Sequence, residues 1–98
     1  GIRSMAALAL GDHYLYRTKN YEEAARVFEH MARGTYTGRP APCVGLKMLF
    51  RTARQAESQE MAARGRELAR KLLVSHGGKM TEDGRNELRK ISSYRLED

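Results

Sequence analysis

Tyr21-Glu22-Glu23-Ala24-Ala25-Arg26-Val27-Phe28-Glu29-His30-Met31-Ala32-Arg33-Gly34 reads as one complete helix with both ends marked. Asn20 just before it, with Glu23 three residues on, is the pattern in which side chains satisfy the free N–H groups of a first turn. Glu22 and Glu23 also suit the positive end of the helix dipole. Ala24, Val27, Phe28 and Met31 recur at the spacing of a single helical face, and Gly34 offers the left-handed residue that commonly closes a helix. A single short helix of this kind needs tertiary partners for that face.

Working outward, similar patterns appear on both sides. Residues 4–18 place Ala7, Leu8, Gly11, Tyr14 and Leu15 on one face. Thr35 to Pro42 holds two prolines with Thr37 and Gly38, and reads as a connector. From Cys43 the period returns, with Leu46, Leu49, Phe50 and Ala53 inward to about Ala56. Glu57-Ser58-Gln59 is a polar break, after which Met61, Gly65, Leu68, Ala69, Leu72 and Leu73 line a fourth helix that Gly77-Gly78 stops. Thr81, Glu82 and Asp83 begin a last helix with a narrower stripe of Leu88, Ile91 and Tyr94. No sustained two-residue alternation is present, so no strands are expected.

The prediction is an all-α fold of about five helices in antiparallel order. It forms one domain over residues 1–98, with hairpins at about 4–34 and 43–76, a linker at 35–42 and a final helix at about 81–95. The 98 residues and a 41% apolar fraction supply one core and leave no room for a second domain. A single cysteine, Cys43, excludes an internal disulfide framework and suits a reducing compartment. The longest apolar run, Met5 to Leu10, falls far short of the roughly 20 residues that span a bilayer. It also lacks the form of a signal peptide, so a cytoplasmic or organelle-internal location is expected.

Sliding the chain on itself exposes a repeat. Leu10, Gly11 and Tyr14 fall on Leu49, Phe50 and Ala53 at an offset of 39, and Ala24, Val27, Phe28, Met31 and Ala32 fall on Gly65, Leu68, Ala69, Leu72 and Leu73 at 41. Hairpin copies too thin to stand alone are the signature of a solenoid. Leu10-Gly11-Asp12-His13-Tyr14 resembles the first-helix signature of the tetratricopeptide repeat, and Tyr21-Glu22-Glu23-Ala24 with Phe28 and Met31 resembles its second helix. The resemblance implies a short stack of hairpins with a C-terminal capping helix and a groove lined by first helices. The first hairpin departs by one extra residue between its helices; the second has Phe50 where the family has a small residue and a longer turn. A pentatricopeptide reading competes, because Val27 to Gly34 resembles the second-helix ending of that RNA-binding family. An unrelated small helical bundle is the plain alternative to both.

No catalytic constellation is visible. His13, His30 and His76 are widely separated, neither a His-x-x-x-His spacing nor a Cys-His pairing occurs, and no glycine-rich phosphate loop is present. No enzyme activity, metal or cofactor is therefore expected. Cys43 stands after Pro42 near a helix start, a place that can lower a thiol pKa, although a buried or incidental thiol fits as well.

The net charge of +6 is uneven: +2 in residues 1–41, +4 in residues 42–77 and zero in residues 78–98. Lys47, Arg51 and Arg54, spaced i, i+4, i+7, share one helical face. The resemblance implies that Lys47 and Arg51 face the groove, at positions that hold acidic chain ends in the carboxylate-clamp members of the family. Leu8 and Asp12 occupy the matching places in the first helix where a clamp would want Lys and Asn, so a complete clamp is not expected. The expected groove has an apolar end near Leu8 and Leu15 and a basic end near Lys47 and Arg51, with Tyr16 at its edge. Arg64, Arg66, Arg70 and Lys71 read as solubilising surface. The plain alternative for Lys47, Arg51 and Arg54 is likewise a solvated face.

The function expected is a non-catalytic module or adaptor that binds a protein or peptide segment, acidic in character. Lys47, Arg51, Arg54, Leu8, Asp12, Leu15 and Tyr16 are the candidate contacts. The alternative is an RNA-associated helical-repeat protein that uses the basic second hairpin, and it lacks aromatic platforms among those basic residues. Self-association through Ile2, Leu15, Val44 or Met48 is compatible with either.

Overall fold

In a computed structural model, which describes residues 2–35, 38 and 40–96, the chain is helical throughout and has no strand among those residues. Helix α1 (Ile2–Asp12) runs into a π-helical turn (His13–Arg17), followed by α2 (Tyr21–Arg33), α3 (Pro42–Ala56) and α4 (Gln59–His76). A 3-10 turn (Gly77–Lys79) and α5 (Glu82–Ser92) complete the order. The Ile2 side chain and Thr37, both named from the sequence, lie outside the described residues.

Local chemistry sets the ends of these helices. The Asn20 side chain accepts from the Glu23 N–H, Ser58 from Met61 and Thr81 from Gly84, giving α2, α4 and α5 a side-chain cap each. Pro42 opens α3, where its missing N–H costs nothing. Gly34 closes α2 at φ 83°, its N–H shared between the His30 and Met31 carbonyls. The last helix ends at Ser92, shorter than the expected 81–95, and Tyr94 follows it outside helical geometry.

After Asp12 the hydrogen-bond ladder widens: the Thr18 N–H donates to the His13 carbonyl, five residues back, at 3.1 Å. Within that wide turn Leu15 points inward, 2% exposed, and Tyr16 points out, 48% exposed.

Each helix packs on the next in the chain, and α3 also meets α5 while α2 also meets α4. The Cα envelope is 37 × 34 × 16 Å, and its short dimension is that of two helix layers about 8–10 Å apart. One continuous core draws on all five helices, with Phe28, Leu15, Met31, Leu46, Leu49, Met61 and Leu88 its largest fully buried side chains. Helices approach closely at Gly11, where an added β-carbon would stand 2.4 Å from Phe28 Cε1, at Gly45, where it would stand 2.6 Å from the Ala32 backbone nitrogen, and at Gly65, where it would stand 2.9 Å from Phe50 Cζ.

Of the α4 cations expected on the surface, Arg70 and Lys71 are exposed, whereas Arg64 and Arg66 are only partly so. Arg64 is half-buried and reaches back to α2, donating to Glu29 at 2.5 Å and Glu22 at 3.2 Å. Burial opposes its charge, but the two glutamates outweigh it and raise the Arg64 pKa. Arg66 donates to the Tyr94 carbonyl at 3.1 Å and Arg70 to the Ser92 carbonyl at 3.4 Å. Arg64 and Arg66 thus tie α4 to α2 and to the C-terminal segment, while its exposed side carries Glu67, Arg70, Lys71 and Val74.

Candidate functional site

The i, i+4, i+7 spacing on α3 projects Lys47, Arg51 and Arg54 along one exposed edge. Opposite that edge stand α5 and the segment after it, and between them lies a cleft of about 330 Å³. It is lined by Lys47, Phe50, Arg51 and Arg54 of α3 and by Lys90, Ile91 and Tyr94 from the C-terminal side. The three basic residues picked out in the sequence thus share one cavity, joined there by a fourth cation, Lys90.

The aromatic wall is built in steps. Tyr94 lies against Phe50, ring centroids 4.7 Å apart and planes tilted by 50°, a favourable aromatic geometry. The Arg54 guanidinium sits 5.4 Å from the Tyr94 ring centroid, within cation–π range. Arg66 and Arg70 hold the carbonyls of Tyr94 and Ser92 from behind, so α4 fixes the path of the segment that forms this wall.

Charge in the cleft is only partly balanced. Lys47 is ion-paired with Glu87 of α5, which raises the Lys47 pKa by hydrogen bonding and charge and lowers that of Glu87 by the same contacts. Arg51 donates to the Tyr16 hydroxyl at 3.3 Å. Among the described residues, no carboxylate lies within ion-pair distance of Arg51, Arg54 or Lys90. Among the described residues the site therefore keeps three cations without an ion-pair partner over a floor of Phe50, Ile91 and Tyr94, with Lys90 feeling the charge of Glu87 at longer range.

Cys43 stands at the α5 side of α3, its Sγ 4.0 Å from the Gly84 carbonyl. Burial, then the charge and hydrogen bond of Glu87, push its thiol pKa up, with Lys47 opposing. The direction fits the reading of Cys43 as a partly buried, incidental thiol and not the lowering that a place near a helix start can give.

Of the other residues expected at the groove, Tyr16 reaches the site through Arg51, while Leu8, Asp12 and Leu15 do not line the cleft. Leu15 is corrected to a core residue: the wide turn directs it inward and leaves it no surface for a partner. Leu8 is half-buried against the core, and Asp12 is half-buried with Oδ1 shielded and without a hydrogen-bond partner. The apolar part of the cleft comes instead from Phe50, Ile91 and Tyr94. Ile91 and Tyr94 were legible as the stripe of the last helix, whereas Lys90 did not stand out, because the segment 78–98 carries no net charge. Nothing local links Glu87 to Lys47, forty residues earlier.

Among the described residues no group of three or more His, Cys, Asp or Glu side chains is placed to hold a metal ion. No helix among them is long and apolar enough to cross a membrane. No family model matches the chain, and neither a curated protein nor a solved structure matches it.

Proposed function

We propose that this chain is a non-catalytic protein-interaction module, tetratricopeptide-like in architecture, that takes an acidic peptide segment into the cleft between α3 and α5. The observation that carries the reading is the gathering of Lys47, Arg51, Arg54 and Lys90 around an aromatic and aliphatic floor, with Glu87 the only carboxylate among the described residues that is ion-paired to any of them. Cations one turn apart can hold a carboxylate through charge-assisted hydrogen bonds, and a partly apolar floor gives the segment an anchor. The contacts of α3 with α5 and of α2 with α4 support the stacked-hairpin architecture, since first helices and second helices then form separate layers.

RNA binding through the second hairpin is less well supported. Arg64, Arg66 and Arg70, which would extend a basic track for a phosphate backbone, are engaged with Glu22, Glu29 and the carbonyls of Tyr94 and Ser92.

The test is a set of ten-residue peptides, acidic, neutral and basic, each with and without a central aromatic residue, titrated against the full chain and its R51E/R54E variant. Binding confined to acidic peptides with an aromatic residue, and lost in a variant that keeps its helical circular dichroism, is the expected result. Equal binding of all charge classes, or no change in the variant, would defeat the reading.

A further inference from the structure

From the composition of the cleft we infer that its preferred ligand is a phosphorylated tyrosine side chain on a peptide; this rests on the reading of the cleft as a peptide site and narrows it. Charge is the first argument. Among the described residues Arg51 and Arg54 have no carboxylate partner, Lys90 has only the longer-range charge of Glu87, which is itself ion-paired with Lys47, and all three border one cavity. A single carboxylate brings one charge and two oxygens and leaves most of that cluster unanswered. A phosphate monoester brings about −1.5 to −2 charge at pH 7 and three strong acceptor oxygens. Two of these three cations are arginines, whose forked donors suit phosphate better than a point charge does.

Shape is the second argument. A volume of about 330 Å³ is near the lower end for ligand sites and accommodates one bulky side chain better than an extended chain. Its floor is Phe50, Ile91 and Tyr94, and Tyr94 already has Phe50 on one side and Arg54 over its ring. A ligand ring against that floor would extend the aromatic and cation–π contacts while its phosphate meets the rim cations. A phosphorylated serine has no ring to cover the floor. Arg66 and Arg70 of α4 donate to the carbonyls of Tyr94 and Ser92, which leaves them less free to extend the cluster along a phosphate backbone and favours a peptide over a nucleic acid.

The experiment uses the full chain, labelled with nitrogen-15, and four small probes: phenyl phosphate, inorganic phosphate, glycerol 2-phosphate and benzoate. Phenyl phosphate should move the amide signals of Lys47 to Arg54 and of Leu88 to Tyr94, and bind about tenfold more tightly than each of the others. That preference should vanish in R51Q/R54Q; if this variant loses its helical signal, K90Q serves instead and should weaken binding severalfold. Phenyl phosphate binding no tighter than inorganic phosphate or benzoate, or signals moving elsewhere, overturns the proposal. A second arm compares fluorescein-labelled ten-residue Gly-Ser peptides with central phosphotyrosine, tyrosine, glutamate or phosphoserine, and a ten-nucleotide RNA. Tightest binding of the phosphotyrosine peptide supports the proposal. If the glutamate or phosphoserine peptide matches it, the phosphotyrosine proposal falls while the acidic-segment reading stands. If RNA alone binds, or no probe touches the cleft, both fall.

Discussion

The ring of Phe50 fills the space that a β-carbon on Gly65 would need, with only 2.9 Å between Cζ and that position. The first hairpin makes the same contact the other way round, with glycine at Gly11 on the earlier helix and the ring at Phe28 on the later one. Gly11 and Phe50 correspond at the offset of 39, whereas Phe28 falls on Ala69 and Gly65 on Ala24, so the large and small partners change helices but the second-helix partner sits one turn earlier in the second copy. Close helix approach needs one small and one large residue and is indifferent to which helix carries which. Phe50 at a position where a small residue was expected is thus compensated by Gly65.

That exchange makes the glycines sensitive in a graded way. G11L drives a side chain into Phe28 and should destabilise by about 1–3 kcal/mol. G45A should cost at least as much, because its β-carbon would stand 2.6 Å from the Ala32 backbone nitrogen, which has no rotamer to escape into. G78A has nothing within 4 Å and should stay within about 0.5 kcal/mol of the parent. Urea unfolding of the three variants checks the order; a G11L variant as stable as the parent would disprove the close contact.

Phe50 and Gly65 should also be coupled energetically. G65A and F50L each disturb the contact, and the double variant should recover part of the loss, with an interaction energy of about 0.5–3 kcal/mol for residues in contact. A double-mutant cycle in urea measures it, and simple additivity would show that the ring and the glycine act independently.

Arg64 tests whether the α4 arginines are structural. R64M leaves Glu29 without its cation at a site where the Glu29 side chain is only 15% exposed. The expected loss is about 1–2 kcal/mol, below the cost of breaking a fully buried pair because Arg64 itself remains 35% exposed. R26M, whose pair with Glu23 is more open to solvent, should cost less than about 0.5 kcal/mol.

Glu87 ties stability, thiol reactivity and binding together. Its folded pKa is lowered by Lys47, so the pair's contribution is present at neutral pH and disappears as the pH falls through that lowered value, below the ordinary glutamate pKa of about 4.3. E87Q should therefore be flatter in stability across that acid range. It should also alkylate faster at Cys43, because Glu87 is one of the groups holding that thiol pKa up. Freed of its competitor, Lys47 should then bind the acidic peptides more tightly. Thermal unfolding from neutral to acid pH, iodoacetamide kinetics and peptide titration read the three effects; unchanged alkylation and unchanged affinity would show that Glu87 does not govern the cleft.

The helix starts at Asn20 and Thr81 and the stop at Gly34 were legible residue by residue, because capping is local, joining groups only two to four positions apart, whereas Pro42 reads as connector and Ser58 only as part of a polar break, although they open α3 and cap α4. The inward faces were legible for the same reason, since the 3.6-residue period belongs to each helix separately. The basic edge of α3 followed from that period too, and so Lys47, Arg51 and Arg54 could be named before any contact was known. Packing alone decided what stands opposite them. Glu87 meets Lys47, Tyr94 closes on Phe50 and Arg54, and Arg64 reaches Glu29 across separations of 35 to 44 residues that no local pattern spans. The wide turn after Asp12 likewise turned Leu15 from a groove residue into core. Periodicity tells which side chains leave the solvent, but the partner each one meets is set by how neighbouring helices approach, and that depends on the small and large residues at their contacts.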